Sequence, residues 1–430
     1  MRRGYLSEYF VGVMAKRLKA VEVDRKISNQ HEFNGVAKLK ELLGLNRIQN
    51  KPALFFWFND DEELITEHSQ VTWYNAREDQ SERSAEYRLY FRANEVMRKT
   101  REGDLLIVAR KQGSNEKSEE DEIGELIVIV AGNGSSAERQ LVWLFGISML
   151  DLNDRASVHP IENESDREIE FISRQILEEL RITVQEKDSE MLDAFLDLKL
   201  DELIKPFKNG FPSTAKFSHF ARTTLPHIDA RENPDKALLS WIDREEKLFR
   251  RLERRLISDR LREGFNQGES VDVDEFIAFS LSVQNRRKSR AGYAVENHLH
   301  RIFTRYRLKF DHNAKTENRS KPDFLFPGSK EYHNSSFPAA YLDMLGVKSS
   351  CKERWRQVLA EADRIEQKHL LTLESRISEN QTNQMVHNDL RLIVPAPLHQ
   401  TFSEAQQGWL MSLRDFIEYI QDRQKISRSA

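Results

Sequence analysis

The sequence of 430 residues contains one cysteine, Cys351, which excludes a disulfide framework and any CxxC-based zinc site and fits a reducing compartment. Glycine (17) and proline (11) are scarce, and with 39% hydrophobic residues this rules out a collagenous, low-complexity or wholly disordered chain. No apolar run approaches the roughly 18 residues of a membrane span. The N-terminal MRRGYLSEYFVGVMAKR lacks the apolar stretch of a signal peptide, so the expectation is a soluble, cytoplasmic protein with no membrane partner. Neither GxxxxGKS/T nor GxGxxG occurs, which argues against a nucleotide cofactor and ATP-driven translocation. No HExxH or other metal-ligand spacing appears among the 12 histidines. There is also no excess of charge of one sign: 66 Lys+Arg against 70 Asp+Glu leave 66 − 70 = −4. A polycationic coat for nucleic acid is thereby excluded, and any DNA contact must come from local basic patches.

What is present has two textures. At roughly 150 residues per domain the length suggests two or three domains. Up to about residue 150, short apolar or aromatic runs alternate with polar turns: 53–58, 71–74, 85–91, 104–110, 125–131 and 139–146. Strands at such spacing predict a barrel or sandwich, with 115–122 as a solvated acidic hairpin loop. From Ser165, which forms a capping box with Glu168, apolar residues follow helical spacing and predict a helical connector. Beyond about 205 long helices mix with a few strands, an α/β pattern. Residues 238–265 read as a basic amphipathic helix or helix pair, 353–371 as a helix flanked by strands 341–348 and 390–395, and 413–423 as a closing helix. Two helices are expected around a break at Arg290 to Gly292. The division expected is 1–155, a connector at 156–204, and 205–430.

The stretch from Lys321 to Glu361 carries the chemistry. Asp323 follows Pro322 directly, and Lys348 ends an apolar strand. A carboxylate on one strand and a lysine on the next form the core of metal-dependent phosphodiester hydrolysis in PD-(D/E)xK nucleases. Oxygen ligands hold Mg²⁺, and the cationic side chain positions or deprotonates the attacking water. The second acid usually stands two residues before the lysine; here that position is Gly346, and Glu361 on the following helix is the natural replacement. The alternative is a turn-forming aspartate and a solvated lysine. Lys352, Glu353 and Arg354 present donors and an acceptor suited to G·C edges in a major groove, or else form a salt-bridged helix start. NRRKSR (285–290), with Arg286, Arg287 and Arg290, suits phosphate contact or a solvated basic face.

The collinear blocks VDEFIAFSLSVQNRRKSRAGYAVENHLHRIF, KPDFLFP, YHNSSFP, DMLGVKSSCKERWRQVLAEADRI, HLLTLE and RLIVPAPLH strongly resemble the catalytic domain of EcoRII-type restriction endonucleases, over roughly residues 205 to 425. The resemblance implies a restriction-endonuclease α/β core whose last acid has moved to the helix. It also implies Asp323 and Glu361 as metal ligands, Lys348 as the catalytic lysine, and Glu296 and Tyr332 at the active site. Lys352, Glu353 and Arg354 correspond to the trio that reads the outer pairs of a CC…GG target. The family's base-flipping arginine corresponds to Ile242 here, which leaves Trp241 or Arg244 as stacking substitutes. SEYFVGVMAKRLKAVEVDRK, QHEFNG and VTWYNAREDQSERSAEYRLYF resemble, less closely, the family's effector domain, a DNA-binding β pseudobarrel. That resemblance places His31 on one DNA-embracing arm and Arg83, Glu86 and Arg88 on the other, although Glu82 replaces the family's lysine. Along a strand, Glu86 and Arg88 share a face, for base reading or as a salt-bridge ladder.

The expectation is therefore a multidomain protein with an all-β pseudobarrel, a helical connector and an α/β nuclease core. It would act as an effector-activated type II restriction endonuclease, with Mg²⁺ as cofactor, double-stranded DNA as partner, a homodimer for a palindromic site, and a cognate DNA methyltransferase. The competing readings are a DNA-binding regulator with an inactive nuclease domain and a non-specific metal-dependent nuclease.

Overall fold

The computed structural model of the protein describes every residue except 1–4, 25–30, 35, 61–62, 80–81, 113–124, 149–151, 153–155, 162–170, 183, 185–189, 205–210, 268–269, 349–350, 352–353 and 430. The acidic loop at 115–122 and the Ser165/Glu168 capping box lie outside the described residues. The chain divides into two compact units, Met1–Lys187 and Asp188–Ala430. The helical segments assigned above to a connector are split between them, Phe171–Glu179 in the first and Glu190–Ile204 in the second. No helix of the described residues is long and apolar enough to cross a membrane.

The first unit runs β1 (Phe10–Arg17), α1 (Ala20–Val23), β2 (Glu32–Phe33), α2 (Lys40–Leu43), β3 (Ile48–Phe58), β4 (Ile65–Asn75), β5 (Tyr87–Phe91) and α3 (Glu95–Lys99). It continues through β6 (Leu105–Lys111), β7 (Leu126–Ala131), α4 (Ser136–Phe145), β8 (Ser157–Pro160) and α5 (Phe171–Glu179). Its strands form one large curled sheet in the order β2-β5-β4-β3-β7-β6-β1-β8. Every neighbouring pair is antiparallel except β3 with β7. Residues 53–58, 105–109 and 126–131 are buried at each position, so both faces of the central strands are covered, as their β-branched and aromatic composition favours. Phe33, Phe55, Trp57, Trp73 and Phe91 share one core cluster.

One expected strand here is a helix. Residues 139–146 fall in and just after α4, because the Ser135 side chain caps the helix by accepting from the Glu138 amide and Gly146 ends it in the left-handed region. Its apolar residues Ala137, Leu141, Leu144 and Phe145 are buried at helical spacing.

The second unit begins with α6 (Glu190–Ile204), α7 (Thr214–Thr223), α8 (Pro234–Glu263), the hairpin β9 (Asn266–Gln267) and β10 (Ser270–Val271), and α9 (Val273–Arg305). Then come β11 (Asp311–His312), β12 (Phe324–Phe326), α10 (Ser329–His333), β13 (Asp343–Lys348), α11 (Trp355–Leu359) and β14 (Lys368–Thr372). The chain closes with α12 (Glu379–His387), β15 (Leu390–Ile393), α13 (Glu404–Gln407) and α14 (Leu413–Ser429). The sheet order is β11-β12-β13-β14-β15, antiparallel up to β13 and parallel beyond it. Phe303 of α9 and Phe416 of α14 both pack against Phe326 of β12, at ring distances of 5.6 and 5.7 Å.

Two expectations are corrected. α9 continues through Arg290 and Gly292 without a break, since a helical glycine costs only about 1 kcal/mol and packing against α7 and α8 outweighs it. The helix expected over 353–371 shrinks to α11, and its last residues belong to β14. Lys368–Thr372 is buried at every position between two parallel neighbours, and such a strand lacks the alternation that separates strand from helix in a sequence.

Candidate active site

Asp323 immediately precedes β12 and Lys348 ends β13, so the antiparallel pairing of these strands brings the two side chains together. Lys348 Nζ lies 3.2 Å from Asp323 Oδ2, and the Val347 amide donates to the same oxygen at 2.6 Å. Glu361 reaches this pair from just beyond α11, not from within a helix. The approach depends on Gly346: a Cβ there would lie 2.9 Å from Val358 Cγ2 of α11. The glycine that removes the usual acid from β13 is thus also what allows the segment carrying the replacement acid to pack on the strand.

The electrostatics of these groups are strained. Burial pushes Asp323 above the usual carboxylate range, against the opposing pull of Lys348 and the Val347 amide, with Glu296 adding to the rise. Burial likewise raises Glu361 to about 7, with Asp323 adding and Lys348 opposing. Glu361 Oε2 is buried with no hydrogen-bond partner among the described residues. An oxygen of this kind calls for a partner that the described residues do not supply.

These donors fit a hard divalent cation. Among the described residues no group of three or more His, Cys, Asp or Glu side chains gathers as a metal cluster. Two carboxylates suit an ion that draws its other ligands from water and substrate phosphate, which is the habit of Mg²⁺. Glu296 on α9 stands beside the pair, its Oε2 3.0 Å from His312 Nε2. His312 escapes sequence reading because β11 is two residues long and no spacing links it to Asp323. Tyr332 is fully buried; its hydroxyl donates to Glu317 and accepts from the Arg364 amide at 3.3 Å. It therefore stands behind the turn that carries Glu361. Cys351 is buried, and burial pushes its thiol well above the ordinary range.

The expected DNA contacts fare unequally. Arg354 is exposed at the start of α11, whereas Lys352 and Glu353 lie outside the described residues. Arg287 is exposed and pairs with Glu253 at 2.7 Å, and Arg286 lies 4.3 Å above the Phe211 ring. Arg290 is corrected: at 6% exposure, with its guanidinium 4.3 Å from the Phe217 ring and 4.7 Å from that of Phe249, it is an interior side chain and not a phosphate contact. Trp241, proposed as a stacking face, is buried against His298, with Arg222 over its ring; Arg244 is half-buried.

In the first unit, Arg88 of β5 bonds Glu32 at 2.9 Å and Glu86 at 2.8 Å, and Arg77 bonds Glu86 at 2.6 Å. The tyrosine hydroxyl of Tyr74 donates to Glu32. Arg83 is exposed, and His31, at φ +52°, sets its ring edge-on to Phe91 at 5.8 Å.

Residues 249–417 match the family model described as EcoRII C terminal. Over 213 residues the chain is 42% identical to the type II restriction enzyme EcoRII of Escherichia coli, a match covering 48% of this chain and 50% of that protein. The chain thus spans about half the length of the curated relative it matches. Among solved structures, metal-depleted Ecl18kI in complex with uncleaved, modified DNA is similar with a TM-score of 0.42 at 18% identity, covering 55% of this chain and 84% of that one. A PspGI–substrate DNA complex is similar with a TM-score of 0.40 at 16% identity, covering 50% and 93%.

Proposed function

We propose that this chain, whose C-terminal part is related to EcoRII-type restriction endonucleases, is a type II restriction endonuclease that cuts double-stranded DNA at a CC…GG-type site with Mg²⁺. The observation that carries the reading is the meeting of Asp323, Lys348 and Glu361, with one buried Glu361 oxygen left without a partner among the described residues. Asp323 and Glu361 would hold the cation, which when bound supplies Lewis-acid stabilisation of charge developing at the scissile phosphate. Lys348, fixed against Asp323, orients the attacking water and offsets negative charge on the phosphate oxygens. The Val347 amide holds Asp323 in place while this happens. Glu296 with His312 lines the same side and adds to the negative field around Asp323.

Base reading falls to Lys352, Glu353 and Arg354, and phosphate contact to Arg286 and Arg287. A palindromic target calls for two such centres, hence a homodimer, and a host that keeps such an enzyme needs a methyltransferase for the same site. The first unit is the effector domain, reading a second DNA copy with His31, Arg83, Glu86 and Arg88.

Digestion of a plasmid of known sequence tests the reading. Discrete fragments that need Mg²⁺ are expected. Binding without cleavage would instead mark an inactive regulator, and a smear a non-specific nuclease.

A further inference from the structure

We propose that Glu317 and Tyr332 are positioning residues for Glu361, clamping the turn that carries its carboxylate; this rests on the reading of Glu361 as a cation-holding group. Glu361 lies in neither helix nor strand. Its stretch, between α11 and β14, has local backbone bonds from the Glu361 amide to Val358 O at 3.1 Å and from the Ile365 amide to Ala362 O at 2.9 Å. Between them Ala362 has φ +54°, in the left-handed region that costs a non-glycine residue about 1–2 kcal/mol. A turn of this kind persists only when its surroundings over-determine it.

The surroundings come from two segments remote in sequence. Glu317, in the short turn Glu317–Arg319, accepts at Oε2 from both the Asp363 amide, at 3.3 Å, and the Tyr332 hydroxyl. The Tyr332 oxygen in turn accepts from the Arg364 amide at 3.3 Å. The Arg364 guanidinium closes the bracket, donating to the carbonyls of Tyr332, Asn334 at 3.1 Å and Phe337 at 2.8 Å. Residues 363 and 364 are thus held from outside, directly after the pair Glu361–Ala362. A buried carboxylate oxygen without a partner is drawn toward water. The clamp keeps it facing Asp323 and Lys348, and groups that orient metal ligands in this way typically contribute 10- to 100-fold in cation affinity.

The test compares the parent chain with Glu317→Ala, Glu317→Gln and Tyr332→Phe. Hydrogen exchange at the Asp363 and Arg364 amides, calorimetric Mg²⁺ affinity, and plasmid cleavage against Mg²⁺ concentration are measured on each. Tyr332→Phe keeps the buried ring, so it remains informative if Glu317→Ala fails to fold. Glu317→Ala and Tyr332→Phe are expected to exchange faster at both amides and to bind Mg²⁺ about 10- to 100-fold more weakly. They should need correspondingly more Mg²⁺ for half-maximal cleavage, with kcat recovered at saturation, while Glu317→Gln, which keeps an acceptor, falls between them and the parent. Unchanged exchange and affinity in both would overturn the proposal. So would a loss of kcat that Mg²⁺ cannot restore, since Tyr332 would then touch the reacting phosphate. If the parent cuts no DNA while exchange and Mg²⁺ affinity respond as described, the clamp stands and the nuclease reading falls; a parent that binds no Mg²⁺ overturns both.

Discussion

In the first unit the charged side chains around β5 neutralise one another: Arg88 is shared by Glu32 and Glu86, and Glu86 is shared with Arg77. In the second unit the charges at the ends of β12 and β13 are left in surplus. Asp323 adds to the raised proton affinity of Glu361 and Glu296 to that of Asp323, Lys348 is the close countercharge, and a Glu361 oxygen finds no hydrogen-bond partner among the described residues. The difference separates two uses of polar groups. A satisfied ladder lowers the energy of the chain as it stands, whereas a buried pair of acids with one oxygen unsatisfied among the described residues stores a demand that an external cation would meet.

The contrast breaks most decisively at Lys348. Lys348→Ala should lower cleavage by about 10²- to 10⁴-fold while leaving DNA binding near the parent value, as read by gel shift beside plasmid digestion. Retained cleavage would remove the lysine from the chemistry.

Gly346→Ala comes next. Its Cβ would meet Val358 at 2.9 Å, so a loss of about 1–3 kcal/mol is expected from overpacking. Val358→Ala in the same chain should recover part of that loss, measured by denaturant unfolding. A Gly346→Ala chain as stable as the parent would mean that α11 does not need the glycine.

A third effect follows from the sign of the Glu361 shift. Its folded value of about 7 stands above the ordinary 4.5, so between these the folded chain keeps a proton that the unfolded chain has released. Stability from this group is complete below about pH 4.5 and lost as the pH rises through about 7. In metal-free buffer Glu361→Gln should therefore melt higher than the parent above pH 7 and level with it below 4.5. Parallel melting curves at all pH values would contradict the assignment.

The smallest effect belongs to the first unit. Arg88→Ala should cost less than about 1 kcal/mol of stability, since the pairs are partly exposed. If the arm reads DNA, the same change should weaken specific binding by about 1–3 kcal/mol. Fluorescence anisotropy on the separate DNA sites distinguishes a ladder from a reader.

The candidate site was legible where the grouping of side chains follows chain order. Asp323, Lys348 and Glu361 could be named because two strands and a short connection bring them together. The central strands at 53–58, 104–110 and 125–131 were legible as dense apolar and aromatic runs. Two kinds of feature were not. Residues 139–146 and 368–372 show no clear polar–apolar alternation, so caps and neighbours decide their state. Glu317, Arg364 and His312 act through bonds between segments remote in sequence, and no spacing announces those.

The most direct measurement is to sequence the DNA ends produced by the full chain with Mg²⁺ on a plasmid. Ends should fall at one recurring site bounded by C·G pairs, and vanish in Lys348→Ala. Ends scattered without sequence preference, or no cutting at all, would contradict a site-specific nuclease built on Asp323, Lys348 and Glu361.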